Sequence, residues 1–207
     1  MAYVLGFIVA DGALIHTKRD TFFTEIQSTD KEIIYDIRSC MELDLKVGEV
    51  CRTRPGWKKA YRLQIGSKRI YKDLESLGLF PRKSMNIRLP PVPSKHFASF
   101  LRGYFDGDGS VSLLVPRSRN SKSPVLTTRF TSGSKMILVE IKDRLRRSIS
   151  VSGSLCYYSR AWRLVYATKD SEKLFYYMYS KKTVDGNKDL ICLRRKRIIY
   201  QRAFMQP

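Results

Sequence analysis

Apolar residues run almost unbroken through Tyr3-Val4-Leu5-Gly6-Phe7-Ile8-Val9-Ala10 and stop at Asp11-Gly12. The profile returns at Phe100-Leu101-Arg102-Gly103-Tyr104-Phe105-Asp106-Gly107-Asp108-Gly109, matching by position: Gly6 with Gly103, Ala10 with Gly107, Asp11 with Asp108, Gly12 with Gly109. Each stretch predicts a helix apolar on nearly all sides that ends in one acid, and the recurrence predicts an internal duplication. Elsewhere the period changes. Leu14 to His16 and Phe22 to Ser28 predict strands around Lys18-Arg19-Asp20, and Asp30 to Glu42 predicts a helix with Ile33, Ile34, Ile37 and Met41 on one face. Lys46 to Arg52 and Ala60 to Ile65 predict a second hairpin around Pro55-Gly56, followed by a helix from Lys68 to Leu77 stopped by Gly78.

The second half repeats this order with Val111 to Val115, Leu126 to Ser132, Lys135 to Arg147, Gly153 to Tyr158, Trp162 to Tyr166 and Ser171 to Tyr179. Tyr61-Arg62-Leu63 corresponds to Trp162-Arg163-Leu164, Lys68 to Lys169 and Lys31 to Lys135. The first hairpin is longer in the second copy, through the polar Pro116 to Pro124 loop, where insertion is tolerated. The pattern therefore predicts an α+β fold of two αββαββα halves. Residues 1–80 form the first half, residues 81–95 a Pro-rich connector and residues 96–207 the second half, all within one compact unit.

Gly6 and Ala10 lie four apart, as do Gly103 and Gly107, so each apolar helix carries a strip of small residues along one face. If the helices pack along these strips, Asp11 and Asp108 emerge side by side at the same end. Two adjacent carboxylates repel unless a cation lies between them, and a hard divalent ion such as Mg²⁺ takes carboxylate oxygen.

These motifs resemble the signature of the LAGLIDADG homing endonucleases, and two copies in one chain resemble its single-chain members. The resemblance implies that the motif helices form the central interface and that each antiparallel sheet curves over DNA as half of a saddle. It implies metal-dependent double-strand cleavage, with Asp11 and Asp108 as catalytic metal ligands and the carbonyls of Ala10 and Gly107 as further ligands. Val9 stands where the first acid of the motif is expected, a place filled by Asp106 in the second copy. Lys68 and Lys169 match a basic residue near the scissile phosphates, and Gln27 matches a polar residue that orients water. The partner of Gln27 is Thr131, so the halves are expected to cut at unequal rates.

Composition points the same way. There are 39 Lys and Arg against 19 Asp and Glu, a net charge of +20 spread through both halves, which predicts a polyanionic partner. Strand alternation places Arg52 with Arg54, Arg62 with Gln64, Arg129 with Thr131, and Arg163 on polar sheet faces. There Arg and Gln can read base edges in the major groove.

Several alternatives fail. Asp106-Gly107-Asp108-Gly109 lacks calcium-loop spacing, with Arg117 at the twelfth position, and Gly107-Asp108-Gly109 follows a helix, unlike a dinucleotide fingerprint. Cys40, Cys51, Cys156 and Cys192 form no close pairs, which argues against a zinc module and suits a reducing intracellular compartment. His16 and His96 form no triad recognisable from spacing. No N-terminal secretory signal is evident, so none is expected, and no intein splice-junction block is visible. The expected function is site-specific cleavage of a long non-palindromic duplex by a monomer using Mg²⁺. Mn²⁺ is expected to substitute and Ca²⁺ to support binding without efficient cutting. The alternatives are an intron RNA maturase and a cleavage-inactive DNA-binding regulator. Retention of both acids favours the nuclease, because a simple binder gains nothing from paired carboxylates facing phosphate.

Overall fold

The computed structural model describes residues 1–50, 56, 58–115, 124–180 and 190–204. The first half runs α1 (Ala2–Asp11), β1 (Gly12–His16), β2 (Phe22–Ser28), α2 (Lys31–Cys40), β3 (Gly48–Val50), β4 (Ala60–Gly66) and α3 (Lys68–Ser76). The second runs α4 (Ser94–Asp108), β5 (Gly109–Leu114), β6 (Val125–Ser132), α5 (Lys135–Ile149), β7 (Ser154–Tyr158), β8 (Ala161–Tyr166) and α6 (Thr168–Tyr179), and ends in α7 (Arg194–Phe204). Both halves are αββαββα, and α7 is an element that the periodicity did not predict. The expected connector contains a 3₁₀ turn at Lys83–Met85. Helix α4 starts at Ser94, just after Pro93, six residues upstream of the apolar run that begins at Phe100.

Each half builds a four-stranded antiparallel sheet with the same strand order, β1-β2-β4-β3 and β5-β6-β8-β7. Strand alternation divides the sheets into two faces. Ile26, Leu63 and Ile65 of the first sheet are buried beneath the helices, as are Leu126, Phe130 and Leu164 of the second, while Arg62 and Gln64 point outward. Ile33, Ile34 and Ile37 of α2 and Ile137, Leu138, Ile141 and Leu145 of α5 complete the apolar layer. Ser67 caps α3 by accepting a hydrogen bond from Ile70 N at 3.2 Å.

The two halves meet through α1 and α4. A Cβ on Gly6 would lie 2.0 Å from Phe100 O, and one on Gly103 would lie 2.0 Å from Tyr3 O, so backbone touches backbone reciprocally across the contact. Glycine is required at both positions because the obstruction is main chain and cannot rotate away. This contact aligns the two helix ends, and the chain leaves each end directly into a strand, with Gly12 and Gly109 extended at φ −83° and −93°.

Candidate active site

Asp11 and Asp108 are the last residues of α1 and α4. A Cβ on Gly107 would stand 3.3 Å from Asp11 Oδ2, so the Asp11 carboxylate lies against the end of the opposite helix. Burial first, and then the charge of Asp11, push the Asp108 carboxyl up to about 6. Asp11 keeps an exposed outer side, yet the packed helix ends beneath it still push its carboxyl upward. Such a pair is poised to take a cation. The last carbonyls of a helix have no intrahelical partner, so Ala10 and Gly107 can add neutral oxygen. Among the described residues, no group of three or more His, Cys, Asp or Glu side chains forms a metal cage. Two carboxylates, carbonyls and water suit Mg²⁺, which keeps several waters and shares its coordination with substrate phosphates.

Two buried lysines flank the acids, Lys83 from the connector and Lys196 from the second half. Lys83 Nζ donates to Gly12 O, the carbonyl directly after Asp11. Lys196 Nζ donates to Gly109 O at 2.7 Å, the carbonyl directly after Asp108, and also to Phe105 O at 2.6 Å and Asp106 O at 2.8 Å. Burial lowers the Lys83 ammonium and brings Lys196 down to about 8, with the nearby aspartates opposing the shift in both cases. The two differ in their remaining capacity. An ammonium has three donors, so the carbonyls saturate Lys196, whereas Lys83 has one such acceptor among the described residues.

Cross-strand register assembles the outer faces. Gln27 pairs with Arg62 and Glu25 with Gln64 in the first sheet; Thr131 pairs with Arg163 and Arg129 with Val165 at the same places in the second. Gln27, the proposed water-orienting residue, lies one position beyond Ile26, the partner of Gly12, and Thr131 lies one beyond Phe130, the partner of Gly109. Glu25 is an acid that sequence reasoning overlooked on this basic face. Its carboxylate accepts from Gln27 Nε2 at 2.6 Å and Gln64 Nε2 at 3.4 Å, and lies 3.7 Å from Arg62 Nη1. Asp11, Gln27, Glu25, Asp106 and Arg195 border one hollow of about 440 Å³.

Other expected site residues lie elsewhere. Lys68 sits 3.9 Å from Asp20, in the turn beyond the end of β1 opposite Asp11. Lys169 is exposed at the start of α6, next to Thr168, whose hydroxyl meets Leu126 N. Both therefore stand several residues along a strand from the acids, roughly 13 Å at the usual strand rise. Arg52 and Arg54 lie outside the described residues. The lysines that do reach the acids occur in the recurring dipeptides Arg82-Lys83 and Arg195-Lys196, a repeat legible in the chain but hidden inside a connector and a charge run.

A family model described as a LAGLIDADG-like domain matches residues 1–78 and 96–166, spanning both halves. The chain belongs to the LAGLIDADG family. The homing endonuclease I-DmoI, in a study of its mesophilic variants, shares the fold at a TM-score of 0.60 and 14% identity, over 88% of this chain and 96% of that one. I-WcaI bound to its DNA recognition sequence gives 0.59 at 16% identity, over 92% and 84%. The N-terminal LAGLIDADG domain of DUF199/WhiA gives 0.57 at 16%, over 89% and 82%. I-DmoI has also been solved in complex with DNA and Ca and with DNA and Mn.

Two curated proteins of Thermococcus kodakarensis match this LAGLIDADG chain in sequence. A replication factor C small subunit is 25% identical over 160 residues, covering 74% of this chain and 18% of that protein. A probable translation initiation factor IF-2 is 32% identical over 119 residues, covering 54% and 9%. The chain thus spans less than a fifth of either relative. No helix among its described residues is long and apolar enough to cross a membrane.

Proposed function

We propose that this protein is a site-specific double-strand DNA endonuclease of a mobile genetic element, using Mg²⁺ or Mn²⁺ held between Asp11 and Asp108. The observation that carries this reading is the pair of adjacent, mutually repelling carboxylates at the ends of two glycine-packed helices, with a buried lysine from the connector and another from the second half beside them. A cleavage-inactive regulator would keep the basic sheet faces but have no use for this costly arrangement. Mobility is supported by the curated relatives. A replication factor and a translation factor have different tasks, so a segment matching both is best understood as a module carried by unrelated hosts.

In this reading Asp11 and Asp108 would hold a divalent ion, with the Ala10 and Gly107 carbonyls available to complete the oxygen set, and the ion would supply charge neutralisation at the scissile phosphate and an activated water. Gln27 orients water on the first side, where Glu25 fixes its amide. Thr131 stands at the second side with a shorter reach. Lys83 has one carbonyl acceptor among the described residues, which leaves donors for the phosphate or the leaving oxygen, and burial weakens its hold on a proton, which favours transfer from Nζ. Lys196 offsets the negative end of α4 beneath Asp108. Arg62, Gln64, Arg129 and Arg163, with Arg52 and Arg54 by sequence, contact the groove and backbone of a duplex.

The test is selection of a binding site from a randomised duplex library in Ca²⁺, followed by transfer to Mg²⁺. Both strands should be cut in Mg²⁺ or Mn²⁺ and neither in excess chelator. Asp11→Asn or Asp108→Asn should slow cutting by about a thousandfold or more with little loss of affinity. Cutting that survives chelation, or normal cutting of both strands by either variant, would remove the metal pair from the mechanism.

A further inference from the structure

Helix α4 carries two buried charges that the cleavage chemistry above does not use. Arg102 is 3% exposed and Asp106 is 2% exposed; they lie one turn apart, where the first copy has the apolar pair Leu5 and Val9. Both grip the segment that leads into α7. Arg102 Nε donates to Ile191 O at 3.0 Å and its Nη1 to Met178 O at 2.6 Å, joining the end of α6 to the approach to α7. Asp106 Oδ2 accepts from Leu193 N at 2.9 Å, the residue before α7, and from Tyr3 of α1 at 2.8 Å. Asp106 Oδ1 has no hydrogen-bond partner among the described residues, a cost that apolar packing would avoid. Three residues after Leu193, Lys196 plugs into the carbonyls at the end of α4.

The asymmetry has a physical reason. Lys83 follows the end of α3 by seven positions, whereas Lys196 follows the end of α6 by 17. Ordering a longer tether costs more conformational entropy, and a hydrogen-bonded anchor close to the delivered residue offsets that cost. We propose that Asp106, together with Arg102, is a positioning clamp that sets the register of α7 and so keeps Lys196 beneath Asp108, a task that the first half, with its short tether, does not need. The functional consequence rests on the cleavage reading: the clamp controls one strand cut more than the other.

Strand-resolved nicking rates on the selected site, in Mg²⁺, test this. Lys196→Met and Lys83→Met identify which strand depends on which lysine. Asp106→Val and the double variant Arg102→Leu/Asp106→Val, which restores the apolar pair of the first copy and avoids a lone buried charge, should slow the Lys196-dependent strand by roughly tenfold, as expected for a lost charge-assisted hydrogen bond. The other strand should stay within about twofold. Asp106→Asn, which keeps an acceptor for Leu193 N–H, should lie closer to wild type. Equal slowing of both strands, a bias resembling Lys83→Met, or no difference between Asn and Val at position 106 would overturn the clamp. Amide hydrogen exchange provides a readout independent of cutting. In the double variant, α7 should lose protection while β5, β6 and α1 keep theirs; unchanged α7 protection would refute the proposal. If wild-type protein cuts no duplex, the cleavage reading falls, and exchange alone decides the clamp.

Discussion

Asp108 shows how a single half-buried group ties stability to function. Its carboxyl is raised from 3.8 to about 6, so the folded protein binds that proton more tightly than the unfolded chain does. The resulting stabilisation is complete at low pH and is lost as pH rises through about 6, at a cost of up to about 3 kcal/mol by neutrality. In chelator, Asp108→Asn should therefore be more stable than wild type near pH 7.5, and the advantage should shrink sharply near pH 5. Urea denaturation at the two pH values measures this, and an advantage equal at both would show that ionisation of Asp108 is not its source. Saturating Mg²⁺ should reverse the order at neutral pH, because it binds only the native wild-type pair tightly.

The central helix pair is governed by shape. A side chain at Gly103 would have to push a main-chain carbonyl that stands 2.0 Å from the new Cβ, and the same holds at Gly6. Neither helix can yield without displacing the sheet attached to its end, so Gly103→Ala should destabilise the protein by about 3 kcal/mol or more, at the upper end of overpacking costs. Gly78 provides the contrast. It has φ +88° but open space around it, so Gly78→Ala should cost only about 1 kcal/mol of backbone strain. Thermal denaturation of both variants distinguishes obstruction from strain; similar losses would mean that the helices can separate easily.

Across the molecule, the halves repeat in topology but differ in chemistry. Glu25 and Gln64 occupy the places that Arg129 and Val165 take in the second sheet, and Gln27 that of Thr131. A duplex lying across both faces would meet unlike partners in its left and right halves, so the preferred site should be non-palindromic. Both interface helices belong to one chain, so a monomer should suffice. Sedimentation, together with cleavage of the selected site and of palindromes made from each of its halves, tests this. A stable dimer that prefers either palindrome would contradict it. Affinity should fall steeply with salt, in keeping with the charge of +20.

The duplicated order of elements was legible because helix and strand periods differ and each recurs in both copies. Asp11 and Asp108 were legible for a related reason: glycine spacing dictates which helix faces can touch, and the acids follow at a constant distance. Ile33, Ile34 and Ile37 likewise announced a buried face that α2 then displays. What escaped depended on contacts between segments far apart in the chain. Lys83 lies in a Pro-rich connector and Lys196 in a run of basic residues, both settings that signal a solvated surface, yet each ammonium reaches a carbonyl more than 70 positions away. Glu25 looked like one polar strand position among others until β4 set Gln64 and Arg62 beside it. Local sequence encodes periodicity and close-packing capacity, because these act between near neighbours. The partner that satisfies a buried charge is chosen only when the chain closes on itself, and here that choice placed the two lysines beside the two aspartates.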